Sequence, residues 1–415
     1  MTVRLGEVAN EDALPFGRPL DGVRILALEQ MQALPYATQL LARLGAEVVK
    51  IEPLRGDLGR TSMPAMQDPE GRSVGATFLR NNLDKRSVCV DLRRPEGRDL
   101  VLKLARGFDV VAENSKPGSM SRLGLGPEDF AAVDERLVYV SVSGFGNTGD
   151  SPYREWPAFA SITEAMSGIY TFTAGPGNRP RPNPVGALGD ISAALFATIG
   201  VLAALRHRDR TGLGQHVDVA MLDSVVAMTD VVTNFWSLGH RPGDTSTVLL
   251  EAFRASDGWF VLQVGREQHF EALAGVVDRA EWLQDERLRS RTSWTEHLED
   301  ILRPAIEAWA AGRTRIEACA ELSAAGLAAG PCATTDEVVD DPHVAARHML
   351  VEVERPDGVA APVLVPGNPV KMSRVAEGPE RRPPWIGEHT DEVLAAELGL
   401  SVDRIDELRA DGIVA

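Results

Sequence analysis

Between residues 20 and 143 the sequence alternates short runs rich in β-branched residues with segments of helical periodicity, and this alternation restricts the fold more than any other feature. Strands separated by helical segments are typical of parallel sheets, because a parallel pair needs a long crossover connection that a helix usually provides. The sequence therefore predicts an α/β fold with a sheet layer of the nucleotide-binding type. The predicted strands lie at 23–28, 47–51, 87–92, 109–113 and 137–143, with a helix at 36–44 after the first.

The middle of the chain follows a different pattern. Residues 191–206 form an almost wholly apolar helical segment, which we expect to be buried, and a short strand is predicted at 215–219. The uncharged run within this helix, 191–205, is shorter than the roughly 20 residues that span a bilayer. No membrane segment is therefore expected.

Residues 240–340 are predicted to form a second, smaller domain. Periodicity is lost over 240–250, which indicates a linker. Two strand-like runs then flank Asp257-Gly258, a dipeptide typical of hairpin turns, and amphipathic helices follow, which together predict an α+β domain. The remaining segment, 341–415, is rich in proline and ends in two predicted helices.

The charge balance excludes several classes of partner. The chain has 43 basic and 60 acidic residues, a formal net charge of -17. Its mean field repels nucleic acid and anionic membrane surfaces, so neither is expected as a partner, and an anionic ligand would need a local cationic pocket. The three cysteines are too few and too scattered for a disulfide framework, and the N-terminal residues lack a continuous apolar run, so we expect a cytoplasmic location.

Several familiar catalytic and binding patterns are missing or misleading. Residues 144–149 read G-x-G-x-x-G, but Ser-Pro-Tyr follows where a phosphate-binding helix would begin, so a turn is the better interpretation. The first strand and helix are joined by residues 29–35, which contain no glycine to admit a dinucleotide pyrophosphate. The eight histidines show no metal-ligand spacing and no G-x-S-x-G elbow is present, so neither a metal nor a serine hydrolase is expected.

Asp190 is the candidate reactive residue, because Gly186 and Gly189 precede it and the apolar helix follows it. One interpretation is structural: the carboxylate would cap the helix by accepting from the backbone N–H of Ser192 or Ala193. The other is chemical: a carboxylate at the positive end of a buried helix stays ionised while partly desolvated, as a carboxylate nucleophile must. Both interpretations remain open on local pattern.

From about Pro19 to the C-terminus the sequence resembles the class III coenzyme A transferases, the CaiB/BaiF family. Separated motifs recur in the order of that family. They are LGAEVVKIEP at 44–53, KRS at 85–87, EN at 113–114, PG at 117–118, RLG at 122–124, GD at 189–190, TGLGQ at 211–215, GP at 330–331 and GEHT at 387–390.

The resemblance implies an architecture and a mechanism. The large domain would be Rossmann-like and built from both chain ends, 1–239 and 341–415, with the small domain at 240–340 and two subunits interlocked as a homodimer. Asp190 would attack a donor acyl-CoA to give a mixed anhydride and then an aspartyl-CoA thioester, and a small carboxylic acid would accept the CoA. The alternatives are a 2-methylacyl-CoA racemase and a non-catalytic CoA-binding protein.

The resemblance also implies which residues bind CoA, and no cofactor beyond CoA itself is expected. Arg122 can pair with a phosphate through a bidentate fork. For Lys85 and Arg86 a solvated turn is the alternative interpretation. Asp84 replaces the usual asparagine of the family and places an acid near the expected phosphates. The implied CoA-binding residues are Gln32 and Ala33, in the loop after the first strand, and Asn82, Lys85, Arg86, Asn114 and Arg122.

Departures from the family patterns bear on the reaction. The racemases carry a catalytic histidine where this chain aligns Phe159, and a phenyl ring carries no proton, so racemase activity is disfavoured. A glycine-rich flap is typical of the formyl-CoA and oxalate transferases, whereas residues 241–245 contain one glycine. Each tetrahedral intermediate needs oxyanion donors, and we expect backbone amides near Gly189 to supply them.

Overall fold

The computed structural model describes residues 3–183 and 185–415. The chain folds into two compact units. Unit 1 combines the chain up to Gly239 with Pro342–Ala415, and unit 2 is His240–Asp341. Each unit has its own hydrophobic core.

A parallel sheet of six strands forms the centre of unit 1 and confirms the predicted α/β class. Its order is β3-β2-β1-β4-β5-β6, and the last of these strands corresponds to the short strand predicted at 215–219. The strands are β1 (Arg24–Leu28), β2 (Glu47–Glu52), β3 (Lys85–Cys89), β4 (Val110–Glu113), β5 (Val138–Ser143) and β6 (His216–Ala220).

One helix and one strand of unit 1 begin earlier in the sequence than predicted. Helix α1 (Ala33–Arg43) begins before the predicted residue 36, because Pro35 lies in its first turn, where proline removes no helical hydrogen bond. Strand β3 begins at Lys85, two residues before its predicted start. The charged side chains of Lys85 and Arg86 can lie in this strand because both find ionic partners inside unit 1.

Helices cover both faces of the sheet, which explains why its strands are almost continuously apolar. On one face lie α1 and α6 (Leu188–Thr211). The opposite face is packed by helices from both ends of the chain, so the segment after unit 2 completes the core of unit 1. These helices are α2 (Pro95–Ala105), α3 (Pro127–Val133), α11 (Thr390–Leu398) and α12 (Val402–Ala410).

Helix α6 is longer than predicted. It has 24 residues. Judged by length and composition alone, and among the described residues, this helix could cross a membrane. The extra length comes from residues 188–190 and 206–211, which lie outside the uncharged run 191–205. Half of its apolar stretch is buried, and the buried side is lined by small residues, including Ala193, Ala197 and Val201, that pack in one cluster with α1 and the sheet.

The connections before and after α6 contain shorter helices. Helices α4 (Ala160–Met166) and α5 (Ile169–Ala174) precede α6, and α7 (Met221–Met228) follows β6. A one-turn helix, Ser119–Arg122, follows β4.

Unit 2 contains the predicted hairpin. Strands β7 (Leu249–Ala255) and β8 (Gly258–Val264) are antiparallel, and β9 (Ala328–Pro331) adds a third strand that was not predicted. Three helices, α8 (Glu267–Val276), α9 (Arg303–Ala310) and α10 (Arg315–Ala324), contribute to a core with an aromatic centre. Rings such as Phe270 and Trp294 stack there with their centroids 4.5 Å apart.

Candidate active site

Asp190 is the third residue of α6 and does not cap it. The N-cap residue is Ala187, and it makes no side-chain cap bond. The interpretation of Asp190 as the helix cap was therefore wrong. A carboxylate in the first turn still interacts favourably with the positive end of the helix dipole.

The Asp190 carboxylate is partly buried and has no partner. Within residues 3–183 and 185–415 it accepts no hydrogen bond and forms no ion pair, although it retains some exposure to solvent. Burial, and secondly the nearby charge of Glu164, raise the pKa of Asp190 to about 6. An unpaired carboxylate with such a pKa is mainly ionised at neutral pH and retains free lone pairs for nucleophilic attack.

Glu164, on α4, was not predicted to belong to the site. Its side chain is 3% exposed. One carboxylate oxygen, Oε1, accepts from the backbone N–H of Gly189 at 3.1 Å, and the other accepts from the hydroxyl of Tyr170 on α5. A lone acid within the apolar helical pattern 160–166 is the sequence signal that could have identified it.

Gly189 brings α4 and α6 close together. A Cβ at this position would lie 2.6 Å from Thr163 Oγ1 and 2.9 Å from Ala160 Cα, so glycine is required by the contact. Because its N–H is already donated to Glu164, this amide is not available as an oxyanion donor. The expectation of oxyanion donors among the other backbone amides near Gly189 stays a prediction.

The loop after β1, which contains Gln32 and leads to Ala33, is held from two sides. Asn114, at the end of β4, donates from Nδ2 to the Gln30 carbonyl at 2.8 Å and accepts from the Gln30 N–H at 2.9 Å. Asp57 Oδ1 accepts from the Met31 N–H at 2.9 Å. Asn114 therefore positions this loop, Gln32 stays half-buried, and Ala33 is buried at the start of α1.

A buried charge network lies beneath the same loop. It comprises Glu29, Lys50, Glu52, Asp57, Arg60 and Lys85, so three acids face three bases.

Each base of the network meets an acid at short distance. Lys50 Nζ lies 2.7 Å from Asp57 Oδ2 and donates to the Glu29 carbonyl at 3.1 Å. Burial disfavours the charged forms, but the ion pairing prevails: the pKa of Lys50 is raised, and the pKa of Asp57 is lowered by Lys50. The network therefore keeps its charges while it supports the loop.

Lys85 belongs to this network and has no free donor for a phosphate. Its Nζ donates to Glu29 Oε1 at 2.7 Å, to the Pro35 carbonyl at 2.8 Å and to Asn82 Oδ1 at 3.0 Å. Burial lowers the pKa of Lys85 to about 8. The expected phosphate contact of Lys85 and its interpretation as a solvated turn were both wrong.

The neighbouring residues Asn82 and Arg86 also make contacts within unit 1. Asn82 is fully buried, where it accepts from Lys85 and donates to the Phe78 carbonyl at 2.9 Å, so it faces no ligand surface. Arg86 forms ion pairs with Glu47 and, at 3.1 Å, with Glu392. Because Arg86 lies in β3, its interpretation as a solvated turn was wrong, and its expected role in binding CoA stays a prediction.

Asp84 is directed to another part of unit 1. Its Oδ1 accepts from the Arg381 N–H at 2.7 Å, and burial raises the pKa of its carboxyl group to about 6. Arg122, by contrast, is exposed at the end of its one-turn helix, with a single bond from Nη2 to Ser119 Oγ at 3.0 Å. Of the expected cations, Arg122 is therefore the one positioned to meet an anion.

The G-x-G-x-x-G segment forms the predicted turn. Asp218 on β6 accepts from the backbone N–H groups of Asn147 at 2.8 Å and Thr148 at 2.7 Å, so these amides are occupied. Phe159 is the N-cap residue of α4 and is 67% exposed. Within the described parts of the chain, no group of three or more His, Cys, Asp or Glu side chains could hold a metal ion.

Comparison with known proteins gives one consistent result. The model of CoA-transferase family III matches residues 20–390. The chain is 35% identical to a succinyl-CoA:mesaconate CoA-transferase of Haloarcula hispanica over 93% of this chain and 98% of that protein. It is also 35% identical to a succinyl-CoA–D-citramalate CoA-transferase of Chloroflexus aurantiacus, over 96% and 98%. A crystal structure of a CaiB/BaiF family protein from Brucella suis superposes with a TM-score of 0.79 and 32% identity, covering 92% of this chain and 100% of that one.

Proposed function

The chain belongs to the class III CoA-transferase family, and from that premise we propose that it transfers coenzyme A from an acyl-CoA donor to a carboxylic acid through Asp190. The observation that carries this proposal is the Asp190 carboxylate: ionised at neutral pH, partly exposed, and without a hydrogen-bond or ionic partner in the described chain. A nucleophilic carboxylate needs these properties.

The proposed reaction has four steps. An Asp190 oxygen attacks the thioester carbon of the donor, the C–S bond breaks, and CoA leaves as the thiolate, giving a mixed anhydride. The thiolate then attacks the carboxyl carbon of Asp190, which releases the donor acid and forms an aspartyl-CoA thioester. The acceptor carboxylate repeats these two steps in reverse, so acceptor-CoA forms and Asp190 is regenerated.

The loop after β1 would support these steps. We propose that it presents Gln32 to the thioester, and the support is that Asn114 and Asp57 fix its backbone from two sides. A loop held in this way loses little entropy when the substrate binds. Arg122, exposed and lightly bonded, would pair with a CoA phosphate.

The names of the relatives suggest the class of substrate. Succinyl-CoA appears in the names of the mesaconate and citramalate transferases. We propose succinyl-CoA as the donor and a small dicarboxylic acid as the acceptor. A panel of dicarboxylic and monocarboxylic acids assayed with succinyl-CoA tests this, and equal turnover with both classes would contradict it.

We propose that two copies of the chain associate, interlocked as the resemblance implies. The support is a set of large apolar side chains that unit 1 leaves exposed, among them Ile199 at 60%, Trp236 at 61% and Leu238 at 86%. Such exposure is typical of a surface that another chain covers. Sedimentation velocity should give the mass of a dimer, and a stable monomer would contradict the proposal.

Covalent trapping on Asp190 tests the proposed reaction. After incubation with succinyl-CoA and hydroxylamine, mass spectrometry should find a hydroxamate on the peptide that contains Asp190. Asp223→Asn is a matched control, because burial also raises the pKa of Asp223, and this variant should still be labelled on Asp190. A racemase would instead exchange deuterium into the α-carbon of the acyl group, and a CoA-binding protein would do neither.

A further inference from the structure

Glu164 is a buried acid without a cation. Within residues 3–183 and 185–415 it forms no salt bridge, and its hydrogen-bond donors are the Gly189 N–H and the Tyr170 hydroxyl, both neutral. The buried charge network of the same unit pairs every acid with a base. The absence of a counter-charge at Glu164 therefore needs a reason, because buried charges are normally paired.

The position of Glu164 connects it to Asp190. It binds the amide of the residue directly before Asp190, and so it fixes the first turn of α6. Charged or titratable groups on other elements packed around this helix include Asp223 on α7 and His216 and Asp218 on β6. Of all these groups, Glu164 is the charge that acts on the Asp190 carboxylate.

We infer that Glu164 is a positioning residue that favours the acylated form of Asp190, because its negative charge opposes the free carboxylate and not the neutral anhydride or thioester. This inference rests on the proposed function. When Asp190 attacks a thioester, its negative charge passes to the CoA thiolate, and once the thiolate has attacked the anhydride the charge leaves the site with the donor carboxylate. The repulsion between the two carboxylates ends at that step, so the covalent state gains relative to the free enzyme.

The same contact gives Glu164 a second effect, on geometry. Holding the Gly189 amide keeps α4 and α6 in the close contact that glycine permits, which fixes the origin of the Asp190 side chain. The raised pKa of Asp190 is consistent with the electrostatic part of the inference. The two effects are separable, because one depends on the charge of residue 164 and the other on its hydrogen-bond acceptor.

Glu164→Gln separates them, since glutamine keeps an acceptor for the Gly189 amide and removes the charge. With saturating succinyl-CoA and no acceptor, intact-protein mass spectrometry should show that the ratio of CoA-bearing to free enzyme falls by roughly threefold to tenfold. That range corresponds to half to one pKa unit of lost repulsion. The acid limb of the kcat/KM profile should move to lower pH by the same half to one unit.

Tyr170→Phe is the matched control, because it removes a hydrogen bond from Glu164 and leaves the charge. It should leave the acid limb where it is. If Glu164→Gln leaves both the covalent fraction and the acid limb unchanged, the inference is overturned.

Glu164→Asp covers the case in which the glutamine variant does not fold. It keeps the charge and shortens the reach to Gly189, so we expect a lower kcat and an acid limb displaced to lower pH by less than about half a unit, and an acid limb displaced to higher pH would overturn the inference. A wild-type enzyme that never carries CoA on Asp190 would instead overturn the proposed function, which distinguishes the two failures.

Discussion

Unit 1 places ionisable groups in two buried regions and treats them in opposite ways. In the buried charge network, Lys50 meets Asp57 at 2.7 Å, Lys85 meets Glu29 at 2.7 Å, and Arg60 meets Glu52 at 2.6 Å. Around Asp190 two acids are adjacent and no base pairs with either of them in the described chain.

The difference teaches how to interpret the sequence motifs. Lys50 and Glu52 belong to the LGAEVVKIEP motif and Lys85 to the KRS motif, and all three support a loop from beneath. A paired buried charge is satisfied and chemically quiet, whereas an unpaired one is costly and reactive. The longer, more recognisable motifs thus build the scaffold, and the proposed chemistry rests on the two-residue motif at 189–190.

Removing the unpaired acid should have the largest effect on function. We expect Asp190→Ala to lower turnover by roughly 10⁴-fold or more, because no other group can form the covalent intermediate. CoA affinity, measured by calorimetry, should remain unchanged. Because the variant removes an uncompensated, partly buried charge, thermal stability at pH 7 should not fall. Retained turnover would contradict the assignment of Asp190.

Removing a paired base should have the largest effect on stability. Lys50→Met leaves the carboxylates of Asp57 and Glu29 without their shared cation and should destabilise the fold by about 3–5 kcal/mol in urea unfolding. Lys103→Met is the matched control, because Lys103 pairs with Asp99 at an exposed site and should cost less than about 1 kcal/mol. Equal losses of unfolding free energy in both variants would show that the buried ion pairs contribute no more to stability than an exposed pair.

Acid should affect the two regions at different pH values. The pKa of Asp190 is raised to about 6, and its ionised form is the proposed nucleophile, so activity should fall roughly tenfold per pH unit well below 6. Arg60 and Lys50 lower the pKa of Glu52. Ionised Glu52 therefore stabilises the fold above its unfolded pKa, and this contribution is lost only as pH falls through the lower pKa of the folded state. Between about pH 6 and 4.5 we therefore expect inactivation with unchanged circular dichroism. Loss of activity and structure together would contradict the comparison.

Arg122 should give the smallest effect and sharpen the comparison among the cations. Arg122→Gln should raise the KM for acyl-CoA roughly tenfold, the value of one charge-assisted hydrogen bond, with little change in kcat or stability. Arg136→Gln is the control at another exposed arginine of unit 1. A KM that changes equally in both variants would indicate a general charge effect rather than a phosphate contact.

The fold was largely predictable because its signals are local. Runs of β-branched residues and the Asp257-Gly258 turn act over a few residues, and the sheet and hairpin formed where these signals placed them. The errors arose from distant partners. Lys85 can lie in a strand because its ammonium group pairs with Glu29, 56 residues earlier, and no local pattern contains that information.

The candidate site was predictable in part for the same reason. Asp190 was identified from its glycine and the apolar helix that follows, which are sequence neighbours. Whether it caps the helix depended on the actual first residue of α6, and whether the Gly189 amide is free depended on Glu164, 25 residues before it. The interpretation of Asn82 and Lys85 as CoA contacts failed because burial by other segments is invisible to a motif.

The return of the chain to unit 1 after unit 2 has a consequence for synthesis. Val414 forms a β-bridge with Val90, the His389 N–H donates to the Ser87 carbonyl at 2.9 Å, and the side chains of Val393 and Ile405 fill the core beside the sheet. A ribosome must therefore release the chain as far as these helices before this face of the sheet can be fully closed. Until then α2 and α3 cover only part of its apolar layer, so α11 and α12 act as the closing step of assembly, and the nascent chain benefits from protection against aggregation up to that point.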